Sequence, residues 1–201
     1  MNNKKGVNLI TLLIIPIAIA INFIASNLAA TLKLPVYLDT IGTFLTSILA
    51  GPIIGAIAGG LSSLISGLMT PTLMPYVFGS IICGLIGGWL ARKKMFNNIR
   101  RLIVAILAIT VVCVIINIAT KMIFFGGYTP SSTSAMCAAM VSAGMPFSIS
   151  LFITTLIGEI PDKLISLIIP YIVVHRMPDR FLYNFSNGAI LLEGRKDKKE
   201  E

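Results

Sequence analysis

The sequence predicts an all-α membrane protein: a polytopic bundle of six transmembrane helices, the second one short, with both termini in the cytoplasm. Three observations lead there. The 201-residue chain is 56% hydrophobic and only 12% charged, with a mean hydropathy of +0.91, whereas soluble domains carry charge on about a quarter of their residues. Apolar runs of about 20 residues, the length that spans a bilayer, recur along the whole chain. The basic residues behind a net charge of +8 gather in clusters beside those runs, which marks membrane topology rather than nucleic-acid binding. One compact membrane domain is therefore expected over residues 8–175, between a polar N-terminal tail (1–7) and a charged C-terminal tail (176–201).

Each element follows from local residues. Asn8 to about Thr31 is an apolar run interrupted by Pro16 and carrying Asn22, Ser26 and Asn27. It is long for a secretory signal, and another membrane segment follows it, so it reads as a retained first helix. The segment Leu34-Pro35-Val36-Tyr37-Leu38 ends on Asp39, and a short apolar run, Thr40 to Ala50, comes next. Gly51-Pro52 breaks it, because proline lacks an N–H and glycine relaxes the backbone. The third run, Ile53 to Leu68, has Gly55, Gly59, Ser63 and Gly67 at four-residue spacing, with Ala56 and Gly60 in a parallel stripe. That spacing puts small residues on one helical face, where another backbone can approach closely in lipid.

Pro75 to about Ala91 is a fourth helix with a second small-residue face at Gly79, Cys83 and Gly87. Leu102 to about Phe125 is a fifth, apolar but for Asn117 and Lys121. Gly126–Ala143, rich in Gly, Ser, Thr and Ala, reads as a loop of the length often found in lids and binding loops. Met145 to about Val174 is the sixth helix, with Glu159, Pro161, Asp162 and Lys163 in its middle.

Orientation follows from charge. Lys4 and Lys5 precede the first helix; Arg92, Lys93, Lys94, Arg100 and Arg101 join the fourth to the fifth; Arg176, Arg180, Arg195, Lys196, Lys198 and Lys199 follow the sixth. Six spans place all three clusters on one side, the cytoplasmic one, and the other connections hold only Lys33. Tyr37, the Thr70 turn and the Gly126–Ala143 segment then face outward.

Ionisable groups within membrane segments are costly, and each is a functional candidate by default. Asn117 and Lys121 lie one turn apart on the fifth helix. Thr155, Glu159, Asp162 and Ser166, spaced four, three and four, form a polar stripe on the sixth, with Glu159 roughly 20 Å into that helix at about 1.5 Å per residue. Two readings stand for this stripe. Glu159 and Asp162 face a ligand, or Glu159 pairs with Lys163 and Asp162 with Lys121 inside the bundle. Asp39 either lines the site or caps the second helix. Tyr37, Tyr76 and Tyr128 either stack on a substrate or anchor at the interface, as Trp89 does on the basic side.

Other chemistries find no residues. His175 is the sole histidine, and Cys83, Cys113 and Cys137 form no CxxC, so neither a metal centre nor a cofactor site is expected. The chain has no GxxxxGK[ST] loop and does not bind ATP by that route.

Asp39, the short helix, Gly51-Pro52 and the small-residue helix resemble, in that order, the first third of the S components of energy-coupling factor (ECF) transporters. The resemblance extends over about residues 8–175 through the six spans, the outer segments and the sixth-helix stripe. It implies a protein of the cell membrane that binds a small water-soluble vitamin or micronutrient from outside. Tyr37, Asp39, Tyr76, Asn117, Lys121, Tyr128, Thr155, Glu159 and Asp162 would be its site residues. It also implies partners, a scaffold transmembrane subunit and two ATPase subunits, with delivery by toppling of the whole bundle. Ala25 and Ala29, or Ala18 and Asn22, match the small-residue pattern with which such components dock on the scaffold. The other readings are a solitary ion-coupled secondary transporter, with Glu159 or Asp162 binding the ion, and a membrane sensor or assembly subunit.

Overall fold

The computed structural model describes the backbone of residues 9–200 and the side chains of 9–195. Residues 1–7, with Lys4 and Lys5, lie outside the described residues, as do the side chains of Lys196, Lys198 and Lys199. The described chain is all helical: α1 (Leu9–Thr31), α2 (Ile41–Ala50), α3 (Pro52–Met69), a 3-10 turn (Pro71–Tyr76), α4 (Val77–Arg92), α5 (Ile99–Phe125), α6 (Ser132–Ser142), α7 (Phe147–Arg176), α8 (Asp179–Leu182) and α9 (Gly188–Glu200).

Four segments are long and apolar enough to cross a membrane: Leu9–Thr31, Pro52–Met69, Pro71–Arg92 and Ile99–Phe125. The 30-residue α7 has the length as well, but its middle carries Glu159, Asp162 and Lys163. The shorter apolar helix, α2, occupies the centre of the fold. All ten of its residues are buried, and it packs against α1, α3, α4 and α7.

Small residues bring these backbones together. A Cβ placed on Gly42 of α2 would stand 2.2 Å from the Ala18 carbonyl oxygen of α1, and one on Gly88 of α4 would stand 2.2 Å from the Pro52 nitrogen of α3. No side chain fits at either crossing. The small-residue face of α3 meets α4 through Ser80, Gly84 and Gly88, whereas the face expected on α4 turns elsewhere: Gly79 faces Ile116 and Cys83 faces Cys113 of α5, and Gly87 faces Phe44 of α2. Asn22 fastens the centre. It donates to Thr43 Oγ1 (2.9 Å) and Ser62 Oγ (3.0 Å) and accepts from the Gly42 amide (2.7 Å), joining α1, α2 and α3.

Two segments differ from expectation. Gly126–Ala143 is not all loop, because Ser132–Ser142 forms α6. The Ser131 hydroxyl caps it by accepting from the Ser134 amide (3.3 Å), and the alanines and methionines that follow are good helix formers. The segment after Arg176 is not a free charged tail. Leu182, Phe185, Leu191 and Leu192 are buried with Phe96 of the α4–α5 connection. Asn187 donates from its side chain to the Ile48 carbonyl (3.1 Å) and from its amide to that of Leu49 (3.1 Å), and Ser186 bonds the Ala50 carbonyl (2.8 Å). These are carbonyls of the last turn of α2, which a helix end leaves without partners. Arg195 caps α7 in the same way, through the carbonyls of Val174 (2.7 Å) and Met177 (2.8 Å), while also pairing with Asp179.

The bundle thus has two distinct ends. At one, the α2–α3 corner, the α4–α5 connection and residues 178–195 pack together, and the basic residues of both connections gather there. At the other, the α1–α2 connection, α6 and the first half of α7 come together.

Candidate functional site

Residues 32–40 link α1 to α2 and dip into the bundle as far as Asp162, the middle of α7. Asp162 Oδ1 accepts hydrogen bonds from the amides of Tyr37 (3.0 Å) and Leu38 (2.6 Å), and Oδ2 accepts one from Lys163 (2.6 Å). Leu38 takes the left-handed conformation, φ 51°, which is unusual for a bulky residue; it turns two successive amides onto one carboxylate oxygen. Irregular backbone at this depth persists only where protein satisfies its polar groups. This plug also explains the length of α2, which needs to fill only the half of the bundle beyond it.

Gly158 makes room for the plug. A Cβ there would meet Thr133 Cγ2 of α6 at 2.9 Å and the Pro35 carbonyl at 3.4 Å. Over it, the Tyr37 hydroxyl and Thr133 Oγ1 are hydrogen-bonded at 2.9 Å, linking the α1–α2 connection to α6.

Beneath α6, two polar rungs join α5 to α7. Asn117 donates to Glu159 Oε1 (2.5 Å), and one turn away Lys121 donates to Thr155 Oγ1 (3.3 Å). Glu159 is 0% exposed, and Lys121 and Thr155 are each 2% exposed. Glu159 Oε2 lies 3.4 Å from Lys163 Nζ but has no hydrogen-bond partner, and Ser166 Oγ, further along the stripe, also has none. No carboxylate of the described residues comes within 4.0 Å of Lys121. The cross-helix Asp162–Lys121 pair allowed by the sequence does not form, because Lys163 and two backbone amides take Asp162.

Asp39 is half-buried near Lys163, Asp162 and Glu159. It is not the cap of α2: Thr40 holds that position, and no side chain there makes a capping bond.

The structure therefore gathers Tyr37, Asp39, Asn117, Lys121, Thr155, Glu159 and Asp162 around one polar interior. Tyr76 borders it, stacked on Phe125 at 6.2 Å and beside Thr129. Tyr128 lies outside, 43% exposed and packed on Phe147. Ser131 and Thr133 join the site from α6; a serine cap ahead of an alanine-rich stretch was the sequence signal for them. Trp89 is exposed, with the Lys93 ammonium 3.6 Å from its ring centroid, as an interfacial anchor would be. Of the four small or polar residues on α1, Ala18, Asn22 and Ala29 are buried inside the chain and Ala25 is half-buried.

The family model described as the ECF transporter, substrate-specific component, matches residues 11–177, nearly the whole membrane domain. The chain belongs to that family. Searches of the curated proteins and of the solved structures find no match. Members of this family are substrate-binding subunits of multi-pass membrane transporters rather than enzymes. The polar interior under α6 combines buried charge and orphaned polar atoms, covered by the α1–α2 connection and α6.

Proposed function

We propose that this S component captures a small water-soluble micronutrient between α5, α6 and α7. Import would then be driven by ATP hydrolysed on two partner ATPase subunits coupled through a scaffold membrane subunit. The observation that supports this reading is the pair of buried rungs, Asn117–Glu159 and Lys121–Thr155. They stand between two otherwise apolar helices and are closed over by Tyr37 and Thr133. Polar groups so deep in a membrane protein are functional by default, and the chain has no nucleotide-binding loop of its own. In the orientation proposed, α7 is a fifth full span, α2 is a sixth element enclosed by protein, and both termini are cytoplasmic with the basic end of the bundle.

Reconstitution tests this. The S component alone in liposomes should bind solute without concentrating it. Adding the scaffold and ATPase subunits should give accumulation that stops when ATP is withheld. Accumulation driven by a proton or sodium gradient without partners would replace this reading with an ion-coupled carrier. Asp162 would be a poor ion ligand for such a carrier, since both of its oxygens are already engaged.

A further inference from the structure

Lys121 is the anomaly of the site. It is 2% exposed, lies in a membrane helix and, among the described residues, hydrogen-bonds only to the Thr155 hydroxyl, at 3.3 Å. An ammonium that is buried is ordinarily paired with an anion. The bundle does possess anions, but it holds them elsewhere: Asp162 is taken by Lys163 and the Tyr37 and Leu38 amides, and Glu159 by Asn117 and Lys163. Asn117 and Lys121 are four residues apart on α5, as are Thr155 and Glu159 on α7. The two rungs are thus about 6 Å apart along the helices at about 1.5 Å per residue. The Lys121 rung lies nearer the covered mouth, and the Glu159 rung lies deeper.

We propose that the ligand is a singly charged carboxylic acid whose opposite end carries N–H or O–H donors. Its carboxylate pairs with Lys121 and Thr155, and its donors face Glu159 and Asp39. This inference rests on the capture reading above and narrows it to a substrate class. The single charge follows from the surroundings. Lys163 is matched by Asp162, which leaves Lys121 as the one ammonium open to a ligand, while Glu159 and Asp39 already add negative charge nearby. A phosphate dianion placed there would face repulsion that a lone ammonium cannot offset. The donor end follows from the same count, because the deeper rung offers carboxylate oxygens and no stranded donor.

The test uses vitamin pairs that differ only at the acidic group: pantothenate and panthenol, biotin and biotinamide, nicotinate and nicotinamide. Thiamine and riboflavin serve as carboxylate-free controls and inorganic phosphate as the rival anion. Purified, solute-stripped protein is titrated with each compound, and solute retained by unstripped protein is identified by native mass spectrometry. An acid should bind at least about tenfold more tightly than its neutral twin, the scale of a charge-assisted hydrogen bond. Lys121→Gln should close that gap to within about threefold while leaving the neutral twin's affinity in place, since the amide still reaches Thr155 but carries no charge. Without ligand, Lys121→Gln should melt at or above the wild type, because the variant removes a stranded charge. Lys121→Arg should keep the preference for acids.

Equal binding of acid and neutral twin, tighter binding of a carboxylate-free compound or of phosphate, or an acid preference that survives Lys121→Gln would overturn the substrate class and leave capture standing. Early melting of ligand-free Lys121→Gln would also overturn it, by showing that the ammonium serves the fold. Binding of no panel compound, together with no retained solute, would bring down the capture reading and this inference with it.

Discussion

Asp162 accepts from two backbone amides and from Lys163, while Glu159, one turn away on the same helix, accepts from Asn117, lies 3.4 Å from Lys163 and keeps one oxygen without a hydrogen bond. The two carboxylates therefore separate by role. Replacing Asp162 with alanine strands both amides and removes the nearer partner of Lys163, leaving only Glu159 at 3.4 Å, a loss of about 3 kcal/mol for a broken buried pair. Asp162→Ala should lower the melting temperature steeply in detergent, and a melt close to wild type would show that the plug holds by other means. Glu159→Gln keeps an acceptor for Asn117 and should melt within a few degrees of wild type while weakening solute binding about tenfold or more; calorimetry on the purified variant checks both.

At the level of elements, the legible parts were those with strong periodicity or punctuation. The Gly51-Pro52 corner and the small-residue face of α3 marked α2 and α3, while the contact of α4 with α3 falls to Ser80, Gly84 and Gly88 rather than to Gly79, Cys83 and Gly87. The polar stripe on α7 was equally plain, because charges in an apolar run have no ordinary explanation. What was hidden had contrary composition. Ser131–Ser134 reads as loop because serine favours turns, yet the same serine is a helix cap, and α6 follows it. Residues 176–201 read as a charged tail because of their arginines and lysines, while Leu182, Phe185, Leu191 and Leu192 are too widely spaced to stand out. The pairing of Asn187 with the end of α2, about 140 residues earlier in the chain, has no local signal. That pairing predicts a cost. Asn187→Leu should leave the Ile48 carbonyl buried without a side-chain donor and lower stability by about 1–3 kcal/mol. Ser186→Ala, from an exposed residue, should cost less. Denaturant or thermal melts of the two variants check the order, and equal effects would mean that the segment is held by its apolar contacts alone.

For the molecule as a whole, the division into two ends decides how the site can open. The basic end is closed by a folded cap: residues 178–195 cover α2, Lys94 pairs with Glu193, and Arg195 ties α9 to the end of α7. The other end is closed only by the α1–α2 connection and α6, joined to each other through Tyr37–Thr133 and through Ser132 to the Lys33 carbonyl (3.3 Å). Asp162 anchors the connection to α7, so the seam between the connection and α6 is the weaker contact at this end. A solute would therefore enter from the α6 side, and if the basic end is cytoplasmic, as the positive-inside rule requires, that side is extracellular. Single cysteines placed at exposed positions settle the orientation. Ala135→Cys on α6 and Arg101→Cys on the basic end both lie on the surface, and both belong in a background where Cys83, Cys113 and Cys137 are replaced by alanine or serine. In intact cells a membrane-impermeant maleimide should label Ala135→Cys and leave Arg101→Cys untouched until the membrane is permeabilised. The reverse pattern would place the opening on the cytoplasmic side, where a protein that captures nutrients from outside could not use it.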